Sequence, residues 1–411
     1  MMERSKRMNV PEIRFKGEQL FLKKQLKEIA TINPKNALPD FFEYVDLESV
    51  VGTEMKKHRT EIKESAPSRA QRLANKGDIF FQTVRPYQQN NLYFDLDAKN
   101  FVFSTGYAQI RSKINSKYLF TILQQSNFLN QVLENCTGSS YPAINPSSLA
   151  NLFLTICDNE VVQQKLASYF QSLDSLIQTT SKELASLKQI KAASLQSMFP
   201  QEGETVPKVR FKGFEGEWDK VKLSTLGQTY SGLTGKTKED FNFGDSLYIP
   251  FLNVLLNPQI DESNLQKVRV ENNEKQNEIH KGDILFNTSS ETPEEVGLCS
   301  VFMSDIKKVY LNSFCFGFRL FNNLVDPSYI VYLLRSQIGR KLMLVLAQGA
   351  TRYNLSKKSF LNAHIIIPTS QQEQQKIASY FCNLDKQLSL QAQRLEKLKQ
   401  IKAACLDKMF V

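Results

Sequence analysis

Two stretches of the chain carry the same apolar stripe. In the first it runs Leu166, Phe170, Leu173, Ile177, Thr180, Leu184 and Leu187. In the second it runs Ile377, Phe381, Leu384, Leu388, Gln391, Leu395 and Leu398. The steps alternate between four and three residues, which lines one side of an α-helix that pairs with another helix. Ile190 and Ile401 follow three residues on, a small phase shift, and no Gly or Pro interrupts either stretch. Ser370-x-x-Glu373, just after Pro368, is a capping-box start for the second helix. Asn159 takes the matching place before the first, and Pro200 ends it. Each helix would be about 55 Å long at ~1.5 Å per residue.

The stripes belong to a repeat. Residues 163–199 align without a gap on residues 374–410, with 20 identities in 37 positions and an offset of 211. The lead-ins VPEIRFKG (10–17) and VPKVRFKG (206–213) also match, at an offset of 196. Between these anchors, KGDIFF (76–81) echoes KGDILF (281–286), and Tyr118 and Gly138 fall opposite Tyr329 and Gly349. The chain therefore reads as a tandem duplication with similar lead-ins, divergent middles and near-identical tails. Two equivalent halves arrange most simply about a pseudo-twofold axis, which predicts an antiparallel coiled coil of the two tails. Thr180 and Gln391, the polar breaks near each helix centre, are expected to meet in a central layer that fixes register.

The middles mix short β-like runs with helical ones, an α+β reading. Strands are predicted at Glu43–Leu47, Asp78–Thr83, Phe101–Ser104, Ser246–Asn253, Ile284–Thr288 and Cys315–Phe321, and helices at Ser116–Asn135 and Pro327–Leu346. The expected domains are 1–158, a first spacer helix 159–199, a linker 200–206, a second domain 207–369 and a second spacer helix 370–411. Residues 1–9 are expected to be frayed.

Composition narrows the partners. The 411 residues carry a net charge of +10, shared as +6 in residues 1–200 and +4 in the remainder. An acidic partner, nucleic acid first, fits a chain with two mildly basic halves better than one with a basic tail. The six cysteines are scattered, with no CxxC pair, and suit thiols in a reducing compartment. The start lacks the apolar stretch of a signal peptide and no apolar run approaches a membrane span, so the expected location is the cytoplasm.

Several loops hold groups suited to phosphate and base contact. In the first half these are Ser68, Arg69 and Arg72 before the KGDIFF strand, Gln82, Thr83, Arg85 and Tyr87 after it, and Ser140 and Tyr141 after Gly138. In the second, SGLTGKT (231–237) supplies glycine amides, Thr234, Lys236 and Thr237. Asn287, Thr288, Ser289 and Ser290 follow the KGDILF strand, and Thr351 and Arg352 follow Gly349. Arg, Asn, Gln and Thr read base edges, while Lys, Ser and backbone amides mostly hold phosphates.

Other chemistries fit less well. Gly235-Lys236-Thr237 lacks the earlier glycine of a P-loop, because position 230 is Tyr. Asp40, Glu54 and Lys56 match a loose nuclease pattern that has no counterpart in the second half. There is no Asx-Pro-Pro-aromatic run to hold a flipped adenine and no glycine-rich turn suited to adenosylmethionine. His58, His280 and His364 are isolated from one another and lack metal-ligand spacing. A fused nuclease and a coiled-coil adaptor joining two protein-binding domains remain as the competing readings.

The LKQIKAA…MF tails, the VPxxRFKG lead-ins, the KGDIxF strands and the SGLTGKT loop together resemble the type I restriction-modification specificity subunit over essentially the whole chain. The resemblance implies a non-catalytic subunit. Each middle would be a target-recognition domain reading one half of a bipartite site in double-stranded DNA, and the helices would set the gap. It also implies two modification subunits docked on the helices, which bring adenosylmethionine and methylate adenine. Restriction subunits would act as motor-nucleases with ATP and Mg²⁺, leaving this chain with no cofactor or metal of its own. The first half has Ser-Ser-Tyr-Pro (139–142) where the second has Ala-Thr-Arg-Tyr (350–353), so contacts do not transfer position by position. A ~55 Å helix pair matches about 16 base pairs of B-DNA.

Overall fold

A computed structural model describes residues 11–14 and 20–410. The expected fraying of residues 1–9, and positions 10 and 15–17 of the first lead-in, lie outside the described residues. The chain gathers into two compact units, Met1–Ser181 with Gln393–Val411 and Lys182–Ala392. The two long helices, Glu160–Ser197 and Gln371–Lys408, are each divided between these units.

In the first unit, Phe21–Gln25 pairs antiparallel with Phe153–Cys157. One four-stranded sheet runs in the order Ala30–Ile32, Tyr107–Ser112, Ile79–Gln82, Leu92–Tyr93. A second runs Arg59–Ile62, Phe41–Val45, Phe101–Ser104, Ala70–Leu73, with its middle pair parallel. Strand Ile79–Gln82 is buried on both faces. By the two-residue period of a strand, Ile79 and Phe81 enter one apolar cluster and Phe80 the other. The first cluster joins Leu166, Phe170 and Leu173 of the first long helix to Leu406, Met409 and Phe410.

The second unit repeats this order of elements. Asp219–Lys222 pairs antiparallel with His364–Ile367. One sheet runs Gly227–Ser231, Cys315–Leu320, Ile284–Asn287, Cys299–Val301, and another Gln266–Val268, Phe241–Ile249, Val309–Leu311, again with one parallel pair. Ile284 and Phe286 face a cluster that holds Tyr329, Ile377, Phe381 and Leu384, while Leu285 faces a second cluster with Ile249 and Val309. A small sheet, Ser289–Ser290, Tyr353–Leu355, Ala347–Gln348, has no three-stranded counterpart among the described residues of the first unit.

Within each unit, segments of the two long helices run antiparallel. In the first, Phe170 lies 5.7 Å from Phe410 between ring centroids, the Tyr169 hydroxyl is 3.3 Å from Cys405 Sγ, and Lys402 pairs with Asp174 at 2.6 Å. In the second, Phe199 stacks on Phe381, the Ser194 and Tyr380 hydroxyls are 2.9 Å apart, and Lys191 pairs with Asp385. Of the predicted stripe, Leu166, Phe170, Leu173, Thr180, Ile377, Phe381 and Leu384 are buried. Ile177, Leu184, Leu187, Leu388, Gln391, Leu395 and Leu398 are half-buried.

The repeated lead-ins meet helix ends. The Ile13 amide donates to the Lys408 carbonyl, and the Val209 amide donates to the Ser197 carbonyl, both at 2.9 Å. Each bond caps a carbonyl that the ending helix leaves without a partner.

Three elements differ from expectation. The predicted strand Ser246–Asn253 stops at Ile249, because Pro250 opens the helix Phe251–Leu256. The predicted helix Ser116–Asn135 is two, Ser116–Ile122 and Ser126–Glu134. Likewise Pro327–Leu346 divides into Pro327–Arg335 and Gln337–Leu346. Ser336 ends one helix and caps the next, its hydroxyl accepting from the Gly339 amide. Gly339 lets the second helix press on the first, since a Cβ there would sit 2.2 Å from the Leu333 carbonyl oxygen.

Candidate nucleic-acid interface

In the first unit, the loop after Ile79–Gln82 and the loop after Gly138 are joined. Val84 bridges Ala143, and the Arg85 amide donates to the Pro142 carbonyl at 2.8 Å. Arg85 adopts φ 54°, in the left-handed region, and its guanidinium lies 4.3 Å from the centroid of the exposed Tyr141 ring. Tyr87 and Ser140 are exposed beside them. Ser68 and Arg69 are exposed on the turn into Ala70–Leu73, and the Arg69 carbonyl accepts from the Thr105 amide. Arg72 is half-buried with Nε lacking a partner, and burial lowers its pKa.

Gln82 and Thr83 do not face outward, contrary to expectation. Both are buried. Gln82 Nε2 donates to the Val84 carbonyl and to Gln88 Oε1, and its Oε1 accepts from the Asn90 amide. Thr83 Oγ1 donates to the Gly106 carbonyl at 2.8 Å. Their polar groups are spent on shaping the loop that presents Arg85 and Tyr87.

The second unit makes the same junction with different groups. Ser289–Ser290 pairs with Tyr353–Leu355, the Leu355 amide donates to the Thr288 carbonyl, and Arg352 Nε reaches Ser289 Oγ at 3.3 Å. Thr351 and Arg352 are exposed, and Thr288 and Ser289 half-exposed. Gly349 (φ 122°) permits the turn, because a Cβ there would lie 2.1 Å from the Arg352 carbonyl oxygen. Asn287 is fully buried, with Nδ2 donating to the Glu295 carbonyl and Oδ1 accepting from the Gly297 amide. Ser290 is buried too, its hydroxyl donating to Glu295 Oε2. These two residues therefore correct the expectation in the same way as Gln82 and Thr83. Sequence reasoning missed Gln348 and Asn354, both exposed on the small sheet beside Arg352. Their only signal was proximity to Gly349.

Lys236 is also placed otherwise than expected. Its side chain is 6% exposed and pairs with Glu274 at 2.6 Å. Thr237 closes a capping box with Asp240, and the Thr234 amide donates to Gln276 Oε1, although both threonines remain exposed. The loop is thus braced internally, with its ammonium group already matched.

Residues 215–400, which hold the second loop junction and most of the second long helix, match the family model of the type I restriction modification DNA specificity domain. That match lies in the second half of the sequence and takes in less than half of the chain. Over 180 residues, 42% of the chain, it is 27% identical to the type I restriction enzyme HindI specificity subunit of Haemophilus influenzae, and the match covers 38% of that protein. The type I restriction-modification S subunit of M. genitalium superposes with a TM-score of 0.63 at 16% identity, covering 98% of this chain and 99% of that one. A chain from a structure of type I restriction-modification complex assembly gives a TM-score of 0.51 at 20% identity, covering 95% and 97%. These structural likenesses establish the fold.

Lys56 pairs with Glu54, and the Asp40 carbonyl accepts from the Lys63 amide. Among the described residues no three His, Cys, Asp or Glu side chains group as metal ligands. No helix among them is long and apolar enough to cross a membrane.

Proposed function

We propose that this chain is the DNA-recognition subunit of a type I restriction-modification complex, and that each unit reads one half of a bipartite site. The observation that carries this reading is the repeated loop junction. Two loops joined by backbone hydrogen bonds present Arg85, Tyr87, Ser140 and Tyr141 in one unit. The same junction presents Thr288, Ser289, Thr351 and Arg352 in the other. Similar loop scaffolding with different exposed groups is what two readers of different sequences need.

The two long helices serve as the spacer, and they dock the modification subunits. The antiparallel contacts inside each unit support that arrangement. Chemistry then lies with the partners, whose adenosylmethionine, ATP and Mg²⁺ this chain does not hold.

The test is to co-express the chain with its modification subunit in methylation-free cells and to map N6-methyladenine by sequencing. A bipartite motif with a fixed gap, changed in one half by exchanging residues 18–158, is expected. A contiguous motif insensitive to the exchange, from a complex shown to assemble, would sink the proposal.

A further inference from the structure

The turn before Cys315–Leu320 has a counterpart before Tyr107–Ser112, with Asn312-Ser313-Phe314 in one and Ser104-Thr105-Gly106 in the other. In the second unit the Thr288 amide donates to the Phe314 carbonyl at 3.0 Å. In the first, the Thr83 amide donates to the Gly106 carbonyl at 2.9 Å. Phe314 and Gly106 thus occupy the same place beside the loop after the KGDIxF strand. A Cβ at Gly106 would meet the Leu47 side chain at 2.8 Å, so a side chain there would have to displace that leucine. In the second unit the Phe314 ring stands 61% exposed.

The turn holding that ring is fixed. Asn312 Oδ1 accepts from the Phe314 amide at 2.9 Å, and Asn312 Nδ2 donates to the Ile249 carbonyl at 3.0 Å. From Phe314 the surface continues through Thr288 to Ser289 and Arg352, by the hydrogen bonds already described. An exposed apolar ring, carried on the turn whose backbone bonds to this loop, suits an apolar feature of a base edge. In the major groove the 5-methyl group of thymine is the apolar feature, and Phe is among the side chains that contact it.

Resting on the recognition role above, we infer that Phe314 is a specificity-determining residue of the second unit, packing on a thymine methyl group in its half-site. The first unit, with Gly106 in that place, makes no such contact.

The test uses the full chain assembled with its modification subunit and synthetic duplexes carrying the mapped site. Each thymine of the second unit's half-site is replaced in turn by deoxyuridine, which removes only the methyl group. The wild-type methylation rate at subsaturating enzyme should fall roughly fivefold at one position, the worth of about one buried methyl group. Phe314→Ala should lose that sensitivity and methylate the thymine duplex at the same reduced rate, while Phe314→Leu keeps part of the discrimination. Wild-type indifference to every replacement, or a Phe314→Ala complex that still discriminates, overturns the inference while leaving the bipartite reading intact. Absence of any bipartite motif overturns both.

Discussion

Arg319 grips Asp283 through two hydrogen bonds, Nε to Oδ1 at 2.9 Å and Nη2 to Oδ2 at 2.6 Å. Arg111 does the same to Asp78, both bonds at 2.8 Å. Each aspartate is the last letter of a KGD motif, and each arginine stands on the adjacent strand. The pair is buried on its acidic side, with the Asp283 side chain 2% exposed. The hydrogen bonds and charge of Asp283 hold the Arg319 guanidinium above its ordinary pKa. The Tyr230 hydroxyl also donates to Asp283, and burial followed by the Asp283 charge pushes that phenol up, so it stays protonated.

Removing the carboxylate should therefore destabilise its unit severely. Asp283→Ala takes the acceptor from Tyr230 and leaves Arg319 its bond to the Glu278 carbonyl, and breaking a buried pair from one side costs about 3–5 kcal/mol. Asp78→Ala should do likewise in the first unit. Urea unfolding of the full chain, followed by proteolysis to tell which unit opens, measures the effect. A loss below about 1 kcal/mol would mean that the pair is not a structural strut.

Gln163 and Gln374 begin the repeated tails and should be nearly as sensitive as those aspartates. Gln374 Oε1 accepts from the Asp326 amide and its Nε2 donates to the Pro368 carbonyl, both at 2.9 Å. Gln163 Oε1 accepts from the Asn115 amide at 3.3 Å and its Nε2 donates to the Cys157 carbonyl at 2.8 Å. Each ties the start of a long helix to the cap of another helix and to the strand before it. Gln374→Leu strands one buried donor and one acceptor and should cost about 1–3 kcal/mol. Gln374→Glu restores only the acceptor, so it should not rescue the melting temperature fully. Equal stability of wild type and Gln374→Leu would contradict this.

What the sequence disclosed follows from how strongly each residue is constrained. The heptad steps and the repeat marked the long helices, because a continuous buried stripe leaves a periodic trace. KGDIxF marked the central strands because burial on both faces demands apolar residues. The breaks at Leu123–Gln125 and Ser336 were hidden, since helix-forming residues continue across both and only packing decides the bend. Among the contact candidates, Arg85, Tyr141 and Arg352 lie on the surface. Gln82, Thr83, Asn287 and Ser290 have equally suitable chemistry but are turned inward by loop hydrogen bonds. Side-chain type states what a group can do, and the backbone path alone decides which way it points.

Lys236 should gain affinity for DNA when Glu274 is neutralised. The hydrogen bond from Lys236 pulls the Glu274 carboxyl down to about 2. A lowered folded-state pKa stabilises the pair above the ordinary carboxylate value near 4.5, and that contribution is lost as pH falls toward about 2. Between pH 5 and 8 the pair stays closed, so non-specific DNA affinity should show no step from this group. Glu274→Gln releases one ammonium group, and the slope of log K against log salt should steepen by about 0.9. Fluorescence anisotropy of the assembled complex on non-cognate duplex, between low and moderate salt, measures the slope. An unchanged slope would place Lys236 away from the DNA.

Arg352 and Arg85 separate recognition from stability, because both guanidinium groups bear on surface partners instead of buried carboxylates. The Arg352 guanidinium bonds to the Ser289 hydroxyl, and that of Arg85 lies over the Tyr141 ring. Neither tie is worth more than about 1 kcal/mol to the fold. Arg352→Ala and Arg85→Ala should therefore unfold at the wild-type urea midpoint while each relaxes one half of the methylation motif. A lost base-edge contact corresponds to about 1–3 kcal/mol, or roughly fivefold to more than a hundredfold in discrimination at that position. The decisive comparison is which half changes. Arg352→Ala should affect only the half-site that remains when residues 18–158 are exchanged, and Arg85→Ala only the other. If either substitution instead lowered methylation uniformly across sequences, that arginine would be holding phosphate, and base selection would pass to its exposed neighbours, Tyr87 in one unit and Asn354 in the other.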